Sequence, residues 1–208
     1  MPKLSIPKIL LGFGLLIVLG YIASDLFISD DQYVFKLKQE RKQKNEQFRR
    51  HGDSPLSEEH HERFDSLHYF GPDRDYRLTA QLERLPVGDT ITLPLTDGKA
   101  DKYTRFARAT FELQGKPQQL TLLRRVSKTD STLFVPFADL TNGHDTYGGG
   151  RYLDVETPAA NEQEVVLDFN RTYNPYCAYE DAFACPMPPA ENRLSVEIKA
   201  GEKTYKEH

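Results

Sequence analysis

The residues best suited to chemistry lie in one late stretch of the chain, which also holds its only two cysteines. A nucleophilic mechanism would need a base beside Cys177, for which His144 is a candidate. Acid–base catalysis would instead need two carboxylates in different environments, such as Asp154 with Asp168 or Glu191. Neither grouping has diagnostic spacing. The sequence therefore offers candidates for a hydrolase or transferase and leaves enzyme activity undecided.

Ligand recognition is a second chemistry that this stretch suits. Arg151 and Arg171 could form bidentate hydrogen bonds with a carboxylate or a phosphate, and neighbouring tyrosines could stack against the ligand. The predicted ligand-binding residues are Arg151, Tyr152, Asp154, Asp168, Asn170, Arg171, Tyr173, Asn174, Tyr176, Glu191 and Asn192. A structural alternative is that the same polar side chains satisfy one another and cap the loop backbone. The leading hypothesis is a domain that binds a small ligand or an envelope partner; a structural envelope protein without a site is a further alternative.

The two cysteines, Cys177 and Cys185, are separated by seven residues. Outside the cytoplasm such a pair is expected to form a disulfide worth about 2–3 kcal/mol. Buried thiols and reactive cysteines are the alternatives. A zinc site would need two more ligands, and only His144 is a plausible helper. We therefore predict a disulfide, no metal and no cofactor.

Charge and motif patterns exclude two classes of partner. The chain has 27 basic and 31 acidic residues, well mixed, with a net charge of −4. Binding of nucleic acid needs a clustered positive field, so no nucleic-acid partner is expected. Three glycines at 148–150 precede a predicted strand, and no Lys-Ser or Lys-Thr pair follows them, unlike a phosphate-binding loop.

The amino terminus is predicted to anchor the chain in a membrane. Lys3 and Lys8 precede the uncharged run 9–24, and apolar residues resume after Asp25, which gives about the 20 residues that a bilayer-spanning helix needs. A cleaved signal peptide is the alternative. By the positive-inside rule we expect a single-pass inner-membrane protein with its amino terminus inside and the bulk of the chain periplasmic or otherwise extracytoplasmic.

Three segments are predicted: an anchor or signal peptide at 1–29, a helical stalk packing on the body at 30–70, and a β-rich domain at 71–208. The stalk comprises two short amphipathic helices. The first runs from Asp30 to Arg50, and the second begins with Ser54 as its N-cap and Pro55 in its first turn.

From Tyr76 onward the pattern has period two with frequent turns. Strands follow strands without a helix-length insert, which favours an antiparallel sandwich or a partly open barrel. The predicted strands are 76–85, 90–95, 102–113, 119–126, 132–137, 152–155, 165–169 and 194–198. Pro94 and Pro136 mark predicted sheet edges.

Three sequence blocks, GGRYLDVE, LDFNRTYNPYCAY and ACPMPPAENRL, carry a specific resemblance. They resemble a bacterial family that is classed as a domain of unknown function, over about residues 33–205. The resemblance implies one compact domain, often exported or anchored, and brings no established activity. The resemblance also implies that family members without an export signal carry the same cysteine pair, so buried thiols stay an alternative to the disulfide.

Overall fold

The computed structural model describes residues 30–50, 52, 54–126 and 131–205. The chain divides into two compact units, Met1–Lys44 and Asn45–His208. The predicted anchor at 1–29 lies outside the described residues. Within the part that is described, no helix is both long enough and apolar enough to cross a membrane. The predicted segment boundaries at 29/30 and 70/71 stay predictions.

Among the residues that the structure describes, two α-helices precede the sheet. Helix α1 covers residues 30–48, as the sequence predicts, and α2 covers Glu58–Glu62. The predicted N-cap of α2 at Ser54 is wrong. The Ser54 hydroxyl accepts the Leu56 N–H and forms a turn, whereas Ser57 accepts the His60 N–H and caps the helix.

Seven strands form one antiparallel sheet. They are β1 (Arg77–Arg84), β2 (Thr90–Pro94), β3 (Ala100–Leu113), β4 (Lys116–Arg125), β5 (Thr132–Phe137), β6 (Arg151–Glu156) and β7 (Glu164–Asp168). Their order is β6-β5-β4-β3-β1-β7, with β2 also paired to β3. The sheet curls into a half-barrel, which confirms the partly open barrel and not the sandwich. Its end strands, β6 and β7, border an open seam.

Both faces of the sheet are covered, because neighbouring residues on a strand point to opposite faces. The larger core includes Leu122, Leu133 and Leu153. The next residue along β4 and β5 belongs to the second cluster, as do Tyr103 and Tyr152. Tyr103 and Ala109 are both odd-numbered, yet Tyr103 belongs to the second cluster and Ala109 to the larger core. A β-bulge between residues 105 and 107 makes this change of face possible.

A split in the sheet corrects one of the two predicted edges. Pro94 lies on β2, which pairs only with β3, so that edge is confirmed. Pro136 lies on the interior strand β5, so the second edge is wrong. Strands β4 and β5 share one paired position, Leu123 with Phe134. Proline is tolerated at position 136 because the side chain of Asn192, and not strand β4, binds the β5 backbone there.

The predicted strand at 194–198 is also wrong, although its residues alternate between exposed and buried as in a strand. This extended segment adds Leu194, Val196 and Ile198 to the larger core. Side chains hold it in place of a ladder: Gln118 accepts the Ser195 N–H at 3.0 Å, and Arg151 donates to the Ile198 carbonyl at 2.8 Å. Residues 194–202 are called the C-terminal segment below.

Candidate functional site

A groove of about 680 Å³ lies in the open seam between β6 and β7. We call it the seam groove. Its walls are the first residues of β1, the second half of β6, the following loop, and β7. A groove of this volume is within the range that small-molecule sites occupy in proteins. Asp154, Asp168 and Arg171 of the predicted ligand-binding residues line it.

One end of the seam groove carries two guanidinium groups around one carboxylate. Arg77 pairs with Asp168 in the β1–β7 register. The Arg171 Nη1 lies 3.5 Å from Asp168 Oδ2, and the Arg77 Nε lies 3.9 Å from the same atom. The arginine side chains are 38% and 40% exposed, while that of Asp168 is 6% exposed. Both guanidinium groups at this end are therefore partly exposed, beside a carboxylate that is almost fully buried.

The other end of the seam groove is acidic. Glu156, Glu162 and Glu164 line it near the loop that joins β6 to β7. The loop is fixed, since Glu162 accepts the Ala159 N–H at 2.7 Å and Arg84 donates to the Ala159 carbonyl at 2.6 Å. Four residue steps along β7 separate its two ends, which corresponds to about 13 Å in a strand. The groove thus has arginines at one end and glutamates at the other.

Tyr173 links the seam groove to the outer face of the sheet. Its hydroxyl donates to Asp154 Oδ2 at 2.8 Å, and its backbone pairs with Tyr152 at the edge of β6. Burial, followed by the nearby Asp154 charge, raises the pKa of Tyr173 well above its ordinary value. Tyr152 is itself buried, and its hydroxyl donates to the Pro186 carbonyl at 2.6 Å. Tyr173 therefore stays protonated and holds the Asp154 carboxylate at the groove wall.

Arg151 lies in the protein interior, away from the seam groove. Its side chain is fully buried and donates to Asp139 Oδ2 at 2.9 Å. It also donates to the carbonyls of Ile198, Ala200 and Glu202, at 2.8, 2.6 and 3.2 Å. Burial lowers the pKa of Arg151 and Asp139 opposes that shift. The guanidinium therefore holds the C-terminal segment where a neighbouring strand would otherwise lie.

The three predicted asparagines are also buried and bind backbone from distant parts of the chain. Asn192 donates to the carbonyls of Thr121 and Pro136 at 3.0 and 2.8 Å, so it fills the split between β4 and β5. Asn170 donates to the Asp73 carbonyl at 2.6 Å. Asn174 binds the Glu202 carboxylate and the Lys203 carbonyl, the latter at 2.7 Å.

The two remaining predicted residues lie apart from the groove. Glu191 accepts from the Arg105 Nε at 3.0 Å, and this contact raises the pKa of Arg105. Tyr176 is 44% exposed and packs edge-on against Phe183, with ring centroids 5.3 Å apart. Neither residue lines the seam groove.

Cys177 and Cys185 are buried free thiols in this structure, and the disulfide between them stays a prediction. The two cysteines are adjacent: the Cys177 N–H donates to Cys185 Sγ at 3.2 Å, and the two thiols are hydrogen-bonded to each other. The Tyr147 hydroxyl donates to Cys177 Sγ at 3.8 Å, and the Cys185 N–H donates to Thr96 Oγ1 at 3.0 Å. His144, the base suggested by the sequence, instead lines a different surface pocket.

The structure thus brings three of the predicted ligand-binding residues together and adds one that sequence reasoning missed. Arg77 supplies the second guanidinium that had been assigned to Arg151. Pairing of the 76–85 and 165–169 strands would have placed Arg77 opposite Asp168. These strands are far apart in the sequence, and no local sequence pattern indicates that they pair. Among the described residues, no cluster of three or more His, Cys, Asp or Glu side chains is arranged to hold a metal ion.

Comparison with known proteins identifies the family. The family model described as "Protein of unknown function (DUF1684)" matches residues 62–203. The chain belongs to the DUF1684 family. The match covers the groove, both cysteines and the C-terminal segment, and it confirms the resemblance to a domain of unknown function.

A chain similar to this one has a solved structure. The solution NMR structure of the uncharacterized protein from gene locus rrnAC0354 of Haloarcula marismortui is 37% identical to this chain, with a TM-score of 0.69. The similarity covers 86% of this chain and 98% of that one. No curated protein matches. The DUF1684 assignment therefore establishes a family and a shared fold, without an activity.

Proposed function

We propose that the domain is a binding module that holds a small elongated ligand in the seam groove. The observation that carries the proposal is the convergence of Asp154, Asp168 and Arg171 with Arg77 on one groove of about 680 Å³. Two guanidinium groups at one end suit a carboxylate or phosphate, which they can bind through parallel N–H donors. The glutamates at the other end suit an ammonium group. A ligand carrying both charges about 13 Å apart would match the polarity and length of the groove.

An extended peptide of four residues with free termini has these properties, because its ends lie about 13 Å apart. It can also use the edges of β6 and β7, since an added strand forms main-chain hydrogen bonds with an exposed sheet edge. We therefore propose a short zwitterionic peptide, or a molecule of the same charge pattern, as the ligand class. The proposed membrane tether at 1–29 would present this groove on the outer side of the inner membrane.

Tetraalanine with free termini is a suitable probe for calorimetric titration of the full chain in detergent. We expect Arg171→Ala to weaken binding about tenfold or more, since a hydrogen bond to a charged group contributes about 1.5–3 kcal/mol. The matched control is Arg108→Ala. Arg108 is 37% exposed and pairs with Glu83 outside the groove, much as Arg171 is 38% exposed and pairs with Asp168.

The two ends of the ligand are tested separately by chemical blocking of the peptide. Amidation of the carboxyl terminus removes the partner of the arginines, and acetylation of the amino terminus removes the partner of the glutamates. We expect both blocked peptides to bind more weakly than tetraalanine. Equal binding of the blocked and free peptides, or equal losses from Arg171→Ala and Arg108→Ala, would contradict the proposal.

A further inference from the structure

The cysteine pair lies outside the seam groove and forms a second site with its own chemistry. Cys177 and Cys185 are only 7% and 6% exposed, and their side chains are in contact with each other and with Tyr147. A structural pair of thiols needs no polar partners, because a free cysteine packs as a small apolar residue. Here hydroxyl and backbone groups are directed at the sulfurs. This arrangement suits a thiol that has to carry charge.

The polar contacts are unequal, and they divide the roles of the two cysteines. Hydrogen bonding from Cys185, and then from Tyr147, lowers the pKa of the Cys177 thiol to about 7 against the opposing effect of burial. The same contact with Cys177, together with burial, raises the pKa of Cys185. Burial and the contact with Cys177 raise the pKa of Tyr147, so its hydroxyl stays protonated. The Tyr147 hydroxyl is directed at Cys177 Sγ, which places Cys177 as the nucleophile and the adjacent Cys185 as the thiol that reacts second.

We propose that Cys177 and Cys185 form a peroxide-reactive dithiol, in which Cys177 is oxidised first and Cys185 resolves it into a disulfide. Small oxidants fit the site, because little of either side chain reaches solvent and a bulky disulfide substrate could not approach either sulfur. Hydrogen peroxide is close to water in size. The oxidant class is therefore a small hydroperoxide.

The two steps balance without any other co-reactant. The Cys177 thiolate attacks one peroxide oxygen; an S–O bond forms, the O–O bond breaks, and the departing hydroxide takes up a proton. Cys185 then loses its proton and attacks the Cys177 sulfur; the S–S bond forms, the S–O bond breaks, and water leaves. The dithiol gives up two electrons, and the peroxide is reduced to two waters. The product is the disulfide predicted from the sequence.

The first experiment treats the reduced full chain with hydrogen peroxide at pH 7 and maps the products by peptide mass spectrometry. We expect an intramolecular Cys177–Cys185 disulfide in the wild type. Cys185→Ser should stop the reaction at the Cys177 sulfenic acid, which dimedone captures. Cys177→Ser should abolish dimedone capture. The proposal would be overturned if dimedone labelled Cys185 in Cys177→Ser as strongly as it labels Cys177 in Cys185→Ser. It would also be overturned if both thiols of the wild type stayed unoxidised.

The second experiment measures how the rate of oxidation depends on pH. Besides Cys185 and Tyr147, the charged or titratable groups acting on this site are Tyr152 and, through Tyr147, Asp181. The wild-type midpoint should lie at about pH 7. Tyr147→Phe should move it upward, towards the value of about 8.5 of an unperturbed thiol. Tyr176→Phe is the matched control, since that exposed tyrosine adjoins Cys177 in sequence while its ring packs against Phe183.

The rate at pH 7 is a weaker readout than the midpoint. A one-unit rise in pKa leaves roughly fivefold less thiolate at pH 7, but the more basic thiolate is roughly threefold more nucleophilic. The net loss is about twofold, whereas the midpoint moves by the whole unit. An unchanged midpoint in Tyr147→Phe, or an equal shift in Tyr176→Phe, would show that Tyr147 does not position the charge on Cys177.

Discussion

Buried polar side chains hold together parts of this domain that are distant in sequence. Arg151 is fully buried and binds a carboxylate and three carbonyls. Taking a guanidinium out of water is costly, and the cost is offset only where nearly every donor finds a partner. Asp139 meets the same requirement, since it accepts from Thr141 and from the Ile198 N–H as well as from Arg151. The pair is a structural centre, and it accounts for Arg151 without any ligand.

This role predicts the effect of removing the charge. Arg151→Met should lower the free energy of unfolding by about 3–5 kcal/mol, because it leaves the Asp139 carboxylate buried without its cation. Urea denaturation followed by circular dichroism measures the change. Arg171→Met is the control, and its partly exposed ion pair should contribute about 1 kcal/mol or less.

A second substitution separates lost charge from lost packing. Adding Asp139→Asn to Arg151→Met removes the uncompensated charge, so the double variant should be more stable than Arg151→Met alone. If the double variant were less stable by the sum of both single effects, the two residues would not be coupled.

At the scale of elements, the domain replaces one strand of a barrel with an irregular segment held by side chains. The C-terminal segment presents alternate residues to the core, yet its backbone is bound by Arg151 and Gln118. Inside the sheet, the Asn192 side chain likewise takes the place of backbone hydrogen bonds between β4 and β5. Arg151 belongs to β6, so these contacts join the C-terminal segment to the strand that forms one wall of the seam groove.

The local elements could be predicted from the sequence, and the long-range contacts could not. The β3–β4 hairpin is marked by alternation around a glycine turn, and β5 was predicted with its observed limits. Residues 194–198 have the same alternation, because burial on one side produces it whatever binds the backbone. Arg151 and Arg171 are likewise indistinguishable by type. Only the tertiary fold places the first in the core and the second at the groove.

Gly201 is a position where the C-terminal segment packs tightly against Thr172 and Phe169. Its φ is +76°, and an added Cβ would lie 1.9 Å from Thr172 Oγ1 and 2.7 Å from the Phe169 carbonyl oxygen. Gly201→Ala should therefore destabilise the domain by about 3 kcal/mol or more, through both backbone strain and overlap. Gly98 is the matched control, with a φ of +84° and no atom within 4 Å of the added Cβ.

Thermal unfolding of the two variants distinguishes these contributions. Gly98→Ala carries only the strain of a left-handed backbone, about 1–2 kcal/mol. The extra loss in Gly201→Ala measures the close approach itself. Equal losses in the two variants would mean that the segment shifts away from Thr172 at no cost, and that the packing around residue 201 is loose.

At the scale of the whole molecule, the proposed tether determines which environment the groove and the dithiol meet. A short basic region, Lys3 and Lys8, directly precedes the apolar run, which is the arrangement of a secretory signal or signal anchor. The opposing feature is the basic content of the stalk, where seven cations follow the apolar run: Lys36, Lys38, Arg41, Lys42, Lys44, Arg49 and Arg50. Cations retained on the cytoplasmic side would favour the reverse orientation.

We expect the amino-terminal arrangement to prevail, because the segment that enters the membrane first usually sets the orientation. Alkaline phosphatase fused after His208 should therefore be active, and a green fluorescent protein fused at the same place should be dark. Deletion of residues 1–29 should reverse both readouts and serves as the control. Fluorescence without phosphatase activity from the full chain would show that the stalk cations hold the domain in the cytoplasm. Thiols are kept reduced there, so Cys177 and Cys185 would then meet peroxide only as a transient oxidant.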